Sequence, residues 1–173
     1  FDGTLHVGYE LAYTYGKTEG KKFQLAEVKD ANYRTEENPD SVAKVDNNHT
    51  YTYDANGNVL TVIDSHGTIT RTYDALNRVT SYTDTYGKVI RYEYDAVGNL
   101  SKLIYPDNTA VTYAYDANRN LIRVTDWANR VTSYTYDENN RVVGVSKPDG
   151  SVTSTVYDNK QRVTSTVEKT ADG

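Results

Sequence analysis

Six Tyr-Asp pairs recur along this 173-residue chain at an almost constant interval, with successive tyrosines 20, 21, 21, 21 and 21 residues apart. The pairs are Tyr53-Asp54, Tyr73-Asp74, Tyr94-Asp95, Tyr115-Asp116, Tyr136-Asp137 and Tyr157-Asp158. So regular a period is the signature of a repeat array, in which each unit packs mainly against its neighbours. The chain must therefore be read as one small structural unit multiplied, with stability shared between consecutive copies.

Other positions of the repeat keep the same register as the Tyr-Asp pair. An aliphatic residue stands six positions after each tyrosine, and a second, mostly apolar position follows three residues later. A polar residue precedes the first aliphatic one. In chain order the first aliphatic positions are Val59, Val79, Leu100, Leu121, Val142 and Val163, and the polar ones are Asn58, Arg78, Asn99, Asn120, Arg141 and Arg162.

A single repeat contains two short strand patterns and two turn patterns. In residues 94–115, turn formers at 94–99 precede β-formers at 100–105, and Pro106-Asp107-Asn108 separates them from a second strand pattern. Each repeat is thus predicted to be a β-hairpin, and an isolated hairpin is at best marginally stable. The fold class predicted is all-β: consecutive hairpins forming one long antiparallel sheet, which curls as large twisted sheets do.

The turn after each pair has a predictable chemistry. The Asp side chain is expected to accept a hydrogen bond from the backbone amide two residues on, and the third residue after the Asp suits a left-handed conformation in four repeats. Those residues are Gly57, Asn77, Gly98 and Asn140, whereas Arg119 and Gln161 break the rule. We expect Asn118 to take the left-handed position in place of Arg119, and no substitute for Gln161 is nearer than Asn159.

Tyrosine often occurs twice, two residues apart, ahead of the Asp, as in Tyr51 and Tyr53, Tyr92 and Tyr94, Tyr113 and Tyr115, and Tyr134 and Tyr136. On a strand this spacing places both rings on one face. One interpretation is structural, with aromatic rows running across the sheet. The alternative is a sugar-binding platform of exposed rings. Arg71 and Thr155 stand where two repeats lack the earlier tyrosine.

Composition narrows the function classes. A net charge of −5 with dispersed Lys and Arg argues against a nucleic-acid partner, and no apolar run is long enough for a membrane span. Cysteine is absent, and His6, His49 and His66 lack a metal-ligand spacing. No cofactor, metal or catalytic residue is predicted. The repeated aspartates occupy one structural position, so they are interpreted as turn residues.

Residues 1–50 fit the repeat less well than residues 51–173, which hold six tandem repeats with the last one truncated. Leu25, Val28 and Asp30 keep the mutual offsets of the repeat, but Gly16 replaces the Asp. Residues 1–50 are interpreted as a degenerate or capping repeat, lengthened by charged segments that include a loop at 36–41. An unrelated cap or loop is the alternative.

Trp127 is the only tryptophan and replaces a turn residue of the fourth repeat. It is interpreted either as a lid packed over the adjacent hairpin or as an exposed residue that contacts a ligand.

The segments YDANGNVLTVIDSHGTITRT from Tyr53 and YDAVGNLSKLIYPDNTAVTYA from Tyr94 resemble YD repeats of the RHS family. The resemblance covers residues 51–168 and extends to polymorphic toxins, wall-associated proteins and teneurins. It implies a secreted or cell-surface protein whose spiralling β-sheet forms part of a hollow shell around another domain, such as a C-terminal toxin. The core motif associated with self-cleavage in that family is absent, so self-cleavage is not expected.

Two functions from different classes follow. The first is a structural wall segment of a large RHS/YD-repeat protein, not an enzyme, whose partners are the remainder of its own parent chain. The second is an extracellular module that binds a carbohydrate or a protein through exposed Tyr, Asn, Arg and Thr. Self-association through exposed strand edges is expected in either case.

Overall fold

The computed structural model of the chain describes residues 9–16, 24–32 and 48–171, and it is all-β over these residues. Its fourteen strands form an antiparallel sheet in which strand order follows chain order. This confirms the predicted sheet of consecutive hairpins; whether the sheet curls stays a prediction. The strands are β1 (Tyr9–Tyr15), β2 (Leu25–Asn32), β3 (His49–Tyr53), β4 (Val59–Asp64), β5 (Gly67–Tyr73), β6 (Val79–Thr83), β7 (Val89–Tyr94), β8 (Leu100–Ile104), β9 (Ala110–Tyr115), β10 (Leu121–Thr125), β11 (Val131–Tyr136), β12 (Val142–Ser146), β13 (Val152–Tyr157) and β14 (Val163–Lys169).

The chain divides into two compact blocks, an N-terminal block of residues 1–89 and a C-terminal block of residues 90–173. Each block contains two kinds of turn. We call the turn that follows a Tyr-Asp pair a YD turn, and the turn that returns the chain to the next Tyr-Asp strand a distal turn.

Both kinds of turn mostly use one loop geometry. In the YD turn, the Asp54 amide donates to the Asn58 carbonyl and the Gly57 amide donates to the Asp54 carbonyl. Gly57 has φ +90°, so the loop is a three-residue connection that ends in a left-handed residue. The distal turn from Asp84 closes with the same two backbone bonds, to Lys88 and from Gly87.

One distal turn is shorter and explains the irregular first interval. Asp64 pairs with Gly67 in the β4–β5 register, so only Ser65 and His66 form the loop. The other distal turns described have three loop residues. One residue fewer in this turn makes the first interval 20 residues instead of 21.

Every YD hairpin also carries a β-bulge beside its turn. In β3–β4, Tyr53 pairs with Val59 and Thr52 pairs with Thr61, so Leu60 is the extra residue. The same shift occurs in β5–β6, β7–β8, β9–β10, β11–β12 and β13–β14. It also occurs in β1–β2, where Tyr15 pairs with Leu25 and Thr14 with Glu27. The β1–β2 hairpin thus shares the bulge of the regular repeats.

The two faces of the sheet differ in chemistry where the N-terminal block is regular. In the N-terminal block, Tyr51, Val62 and Ile69 lie in register across β3–β5. The adjacent register on the opposite face is Thr52, Thr61, Thr70 and Thr83. The Thr52 and Thr61 hydroxyls are 2.6 Å apart and share a hydrogen bond. One face is therefore aromatic and aliphatic, and the other is hydroxyl-rich.

The sheet has hardly any buried core. Among the described residues, only Val111 (7% exposed) and Ser151 (5% exposed) are buried, and most strand residues are half-buried. This is the expected result for one layer of strands, since among the residues that the structure describes each strand is covered mainly by its in-sheet neighbours. Strand β14 is exposed along its whole length.

Two sequence predictions about left-handed residues are corrected. Arg119 and Gln161 themselves adopt φ +66°, and Asn118 does not replace Arg119. The position is set by two turn-closing bonds, from the Arg119 amide to the Asp116 carbonyl and from the Asp116 amide to the Asn120 carbonyl. Both can form together only when the third loop residue is left-handed, whatever its side chain. The segments at 17–23 and 33–47, including the predicted loop at 36–41, lie outside the described residues.

Candidate functional site

The Asp side chain organises each YD turn. Asp54 Oδ1 accepts hydrogen bonds from the backbone amides of Asn56 at 2.9 Å and Asn58 at 2.8 Å. The same two bonds recur at the other five pairs. The predicted bond to the amide two residues on is confirmed, and a second bond, to the amide four residues on, accompanies it.

The second carboxylate oxygen binds the side chain four residues on. Asp54 Oδ2 accepts from Asn58 Nδ2 at 2.8 Å, and Asp137 Oδ2 accepts from Arg141 Nε at 2.7 Å. This explains why the position before the first aliphatic residue is always Asn or Arg: both present an N–H to the same oxygen. Sequence reasoning noted the polar position but missed its role, and its restriction to two donor residues was the available signal.

These donors hold the carboxylates in the ionised form. The side-chain amides of Asn58 and Asn120 lower the pKa of Asp54 and Asp116, and Arg141 does the same for Asp137. For Asp74 and Asp158 the largest contribution to the lower pKa comes from the backbone amide four residues on. At Asp95 desolvation raises the pKa, but the hydrogen bonds from Asn99 outweigh it.

The hydroxyl groups of pair tyrosines connect one repeat to the previous one. Tyr136 Oη donates to the Leu121 carbonyl at 2.8 Å, and Tyr115 Oη donates to the Leu100 carbonyl at 3.0 Å. Equivalent bonds join Tyr73 to Val59 and Tyr157 to Val142. Each acceptor is the first aliphatic residue of the preceding repeat, so the two recurrent positions meet through this bond.

The irregular N-terminal segment takes part in the same pattern. Tyr53 Oη donates to the Leu25 carbonyl at 2.6 Å, so Leu25 occupies the place of the first aliphatic residue. The Gly16 amide donates to the Gln24 carbonyl, as the Asp amide does in a YD turn. Both contacts support a degenerate repeat in residues 1–50, and the domain boundaries stay a prediction.

The earlier tyrosine of each Tyr-x-Tyr pairs with an aliphatic residue. Tyr113 lies opposite Val124, and Tyr134 lies opposite Val145. The register continues from Val124 to Thr132 and from Val145 to Thr153. The aromatic rows predicted across the sheet are therefore interrupted, because the strands between the Tyr strands place aliphatic or threonine side chains in line with the tyrosines. Where Arg71 replaces the tyrosine, the residue opposite is Tyr82, and the guanidinium lies 5.6 Å from its ring centroid.

Asparagine side chains bridge YD turns of consecutive repeats. Asn56 Nδ2 and Asn58 Nδ2 donate to the single acceptor Asn77 Oδ1, at 3.0 and 2.7 Å. In the C-terminal block, Asn118 Nδ2 and Asn120 Nδ2 donate to Asn140 Oδ1, at 3.2 and 2.8 Å. The Asn56–Asn77 and Asn118–Asn140 bridges join residues that are 21 and 22 positions apart in sequence.

Trp127 has features of both interpretations made from the sequence. It is 56% exposed, yet its ring packs at a right angle to the ring of Tyr105, with the centroids 6.1 Å apart. Tyr105 begins the preceding distal turn, and Trp127 is the first loop residue of the next one. A ligand-contact role for Trp127 stays a prediction.

The structure brings two of the histidines to one carboxylate. His49 Nε2 lies 3.6 Å from Asp64 Oδ2, and His66 Nδ1 lies 3.7 Å from Asp64 Oδ1. Within the described ranges, no three His, Cys, Asp or Glu side chains are arranged to hold a metal ion. His6 lies outside the described residues. In the same part of the chain, no helix has the length and apolar character needed to cross a membrane.

The consecutive hairpins, each closed by a Tyr-Asp turn, define the class of the protein as a YD-repeat β-sheet protein. The chain belongs to the Teneurin YD-shell family, whose model matches residues 26–170. This is the RHS/YD-repeat resemblance seen in the sequence, and the family relation makes the chain a segment of a YD-repeat shell. The comparison with curated protein sequences gives no match.

Solved structures show the same fold. The chain is similar to the crystal structure of TcdB2-TccC3-Cdc42, with a TM-score of 0.68, 16% identity, and coverage of 86% of this chain and 9% of that chain. It is also similar to a Tc holotoxin pore of Photorhabdus luminescens that carries a TccC3 mutation, with a TM-score of 0.58, 17% identity, and coverage of 94% of this chain and 10% of that chain. A third, TcdB2-TccC3 without its hypervariable C-terminal region, gives a TM-score of 0.66 at 17% identity, covering 82% of this chain and 8% of that chain. The chain thus spans about a tenth of the length of these structural relatives.

Proposed function

We propose that this chain is a wall segment of a large secreted or cell-surface RHS/YD-repeat protein, in which the sheet encloses or displays another domain such as a C-terminal toxin. The observation that carries the proposal is the single layer of strands. Neither face is covered by a second layer within the described residues, so the sheet separates two sides and leaves both available for contact.

The bonding of the YD turns supports a structural, non-enzymatic role. Each carboxylate of the pairs accepts bonds from two backbone amides, and the lowered pKa of these groups keeps them deprotonated near neutral pH. A proton donor in catalysis needs a raised pKa and a free approach to its substrate. The repeated aspartates have the opposite properties.

The partner expected first is the remainder of the parent chain. A sheet in chain order has two outer strands, β1 and β14, and β14 is exposed along its length. Unpaired strand edges pair with further strands, so they supply a natural place for more repeats. The same edge would support self-association of the isolated chain.

Encapsulation can be tested in the full-length parent protein by limited proteolysis. An enclosed domain is expected to resist trypsin in the intact parent and to become sensitive when two neighbouring YD turns are disrupted by the double substitution Asp116→Ala and Asp137→Ala. Substituting Lys147→Ala in a distal turn serves as the matched control and should leave protection intact. Equal digestion of the domain in the intact parent and in isolation would exclude enclosure.

A carbohydrate-binding function is the second candidate, and the exposed Trp127 with the neighbouring Tyr105 favours it. A solvent-facing aromatic pair offers an apolar surface of the kind that can stack against a sugar ring. Titration of the chain with a panel of oligosaccharides, followed by isothermal titration calorimetry, tests this candidate. Saturable binding lost in Trp127→Ala and kept in Tyr86→Ala would support it; no saturation with any sugar would remove it.

A further inference from the structure

We propose that Asn56 is a site of spontaneous deamidation whose conversion breaks the side-chain bridge between the first two regular hairpins. Asn56 is exposed, is the second loop residue of its YD turn, and is followed by Gly57. Its Nδ2 donates to Asn77 Oδ1 of the next repeat at 3.0 Å. The residue therefore combines an accessible side-chain amide, a following glycine and a contact that depends on that amide.

The chemistry needs only water. The backbone nitrogen of Gly57 attacks the side-chain carbonyl carbon of Asn56, the new C–N bond closes a five-membered succinimide, and the side-chain nitrogen leaves as ammonia. Water then opens the ring at either carbonyl and gives Asp or isoaspartate at position 56. Glycine favours the attack because it has no Cβ to obstruct the ring and adopts the required backbone angles without steric cost.

The turn must open for the attack, because the attacking nitrogen is the donor of the turn-closing bond. The Gly57 amide donates to the Asp54 carbonyl at 3.2 Å, whereas the corresponding bonds from Asn77 and Arg119 are 3.0 Å. Local opening of exposed turns is the low-energy part of protein motion. Local opening of this exposed turn thus releases the Gly57 nitrogen for the attack.

Conversion of Asn56 removes one of the two hydrogen-bond donors to Asn77. Its Oδ1 accepts from both Asn56 and Asn58. After conversion, the carboxylate of residue 56 faces Asn77 Oδ1 and has no N–H to donate to it. Turning the Asn77 amide around would satisfy the new carboxylate but would point its NH₂ at Asn58 Nδ2, so one bond is lost in either arrangement. Isoaspartate also lengthens the loop backbone.

Asn118 provides a matched internal control. It has the same place in its YD turn, and its Nδ2 makes the same bridge, to Asn140 Oδ1. The next residue is Arg119, whose side chain obstructs the attack, in place of glycine. Incubating the intact chain at mildly alkaline pH and mapping its peptides by mass spectrometry should show conversion at Asn56 with Asn118 unchanged. Equal conversion at the two residues would overturn the proposal.

Two substitutions reverse the roles of these asparagines. Arg119→Gly should make Asn118 convert, and Gly57→Asn should protect Asn56 while keeping the turn, because Asn77 occupies the same left-handed position in the next repeat. A Cβ at 57 meets only the end of the Gln24 side chain, at 3.3 Å. If Asn118 stays unconverted in Arg119→Gly, or Asn56 still converts in Gly57→Asn, then the turn and not the following residue controls the reaction.

The structural effect is tested with Asn56→Asp, which imitates one product. Its midpoint in urea should fall below that of the unmodified chain. Val97→Asp is the control, because Val97 has the same loop position, is 59% exposed and carries no side-chain amide, so the new charge breaks no amide bridge. Equal midpoints for the two variants would disprove the loss of the bridge and leave only an effect of charge.

Discussion

The YD turns and the three-residue distal turns share one backbone geometry but differ in how strictly they constrain sequence. Every YD turn begins with an Asp that binds two amides and a donor side chain. Distal turns begin with Asp84, Tyr105, Asp126 or Lys147 and close with the same backbone bonds. The backbone bonds alone are thus sufficient to close such a loop, and the carboxylate is additional support that only the YD turns always retain.

Acidification should have the largest effect, because it acts on every YD turn at once. The folded-state pKa of each Asp in the six pairs lies below the ordinary value of 3.8. A depressed pKa contributes stability that is fully present above 3.8 and is lost as the pH falls through the folded-state pKa. Urea unfolding at about pH 5 and about pH 3 should show a clear drop in midpoint at the lower pH. An unchanged midpoint would show that the carboxylates are not needed.

Removing two YD carboxylates should have the next largest effect. The double substitution Asp116→Ala and Asp137→Ala leaves the amides and side-chain donors of both turns without their acceptors, so the urea midpoint should fall well below that of wild type. Lys147→Ala in a distal turn removes only an exposed pair with Glu168 and should cost about 0.5 kcal/mol or less. Similar losses in the two variants would contradict the difference between the turn classes.

The hydroxyl of the pair tyrosine can be removed with little change of shape. Tyr136→Phe deletes the bond to the Leu121 carbonyl and should destabilise the chain by about 0.5–1.5 kcal/mol. Tyr86→Phe in a distal turn, where the side chain is 87% exposed, should change the free energy of unfolding by less than about 0.5 kcal/mol. Chemical denaturation of both variants measures the difference.

A substitution at the left-handed position of a YD turn should stabilise the chain. Arg119 has φ +66°, a conformation that costs an L-residue about 1–2 kcal/mol. Arg119→Gly relieves this cost and loses about 0.5–1 kcal/mol to greater freedom of the unfolded chain, for a net gain of up to about 1.5 kcal/mol. Ala117→Gly, two residues earlier and not left-handed, should be destabilising. Thermal unfolding of the two variants gives the comparison.

The smallest effect is expected in a distal turn. Trp127→Thr introduces the residue that Thr85 supplies at the same loop position, and it removes an exposed edge-to-face contact worth about 0.5 kcal/mol. The free energy of unfolding, measured by circular dichroism in urea, should therefore change little. A large loss would mean that Trp127 is a structural lid over the adjacent hairpin.

The sequence repeat predicted much of the architecture. The period of the Tyr-Asp pairs predicted hairpins in chain order, and the Asp predicted its bond to the amide two residues on. The bulge at Leu60 was not predicted, because it is a relation between two strands that leaves no mark on either strand alone. The meeting of His49 and His66 at Asp64 was missed for the same reason.

The sequence by itself determined the repeat, its antiparallel hairpins and the chemistry of its YD turns, since these depend on contacts between residues a few positions apart. The tertiary structure decided which carbonyls accept from the pair tyrosines, why other side chains interrupt the aromatic rows, and how Asn77 receives two donors. These depend on the register between strands about 10 to 20 residues apart, and that register is set by bulges and loop lengths whose effects add along the sheet.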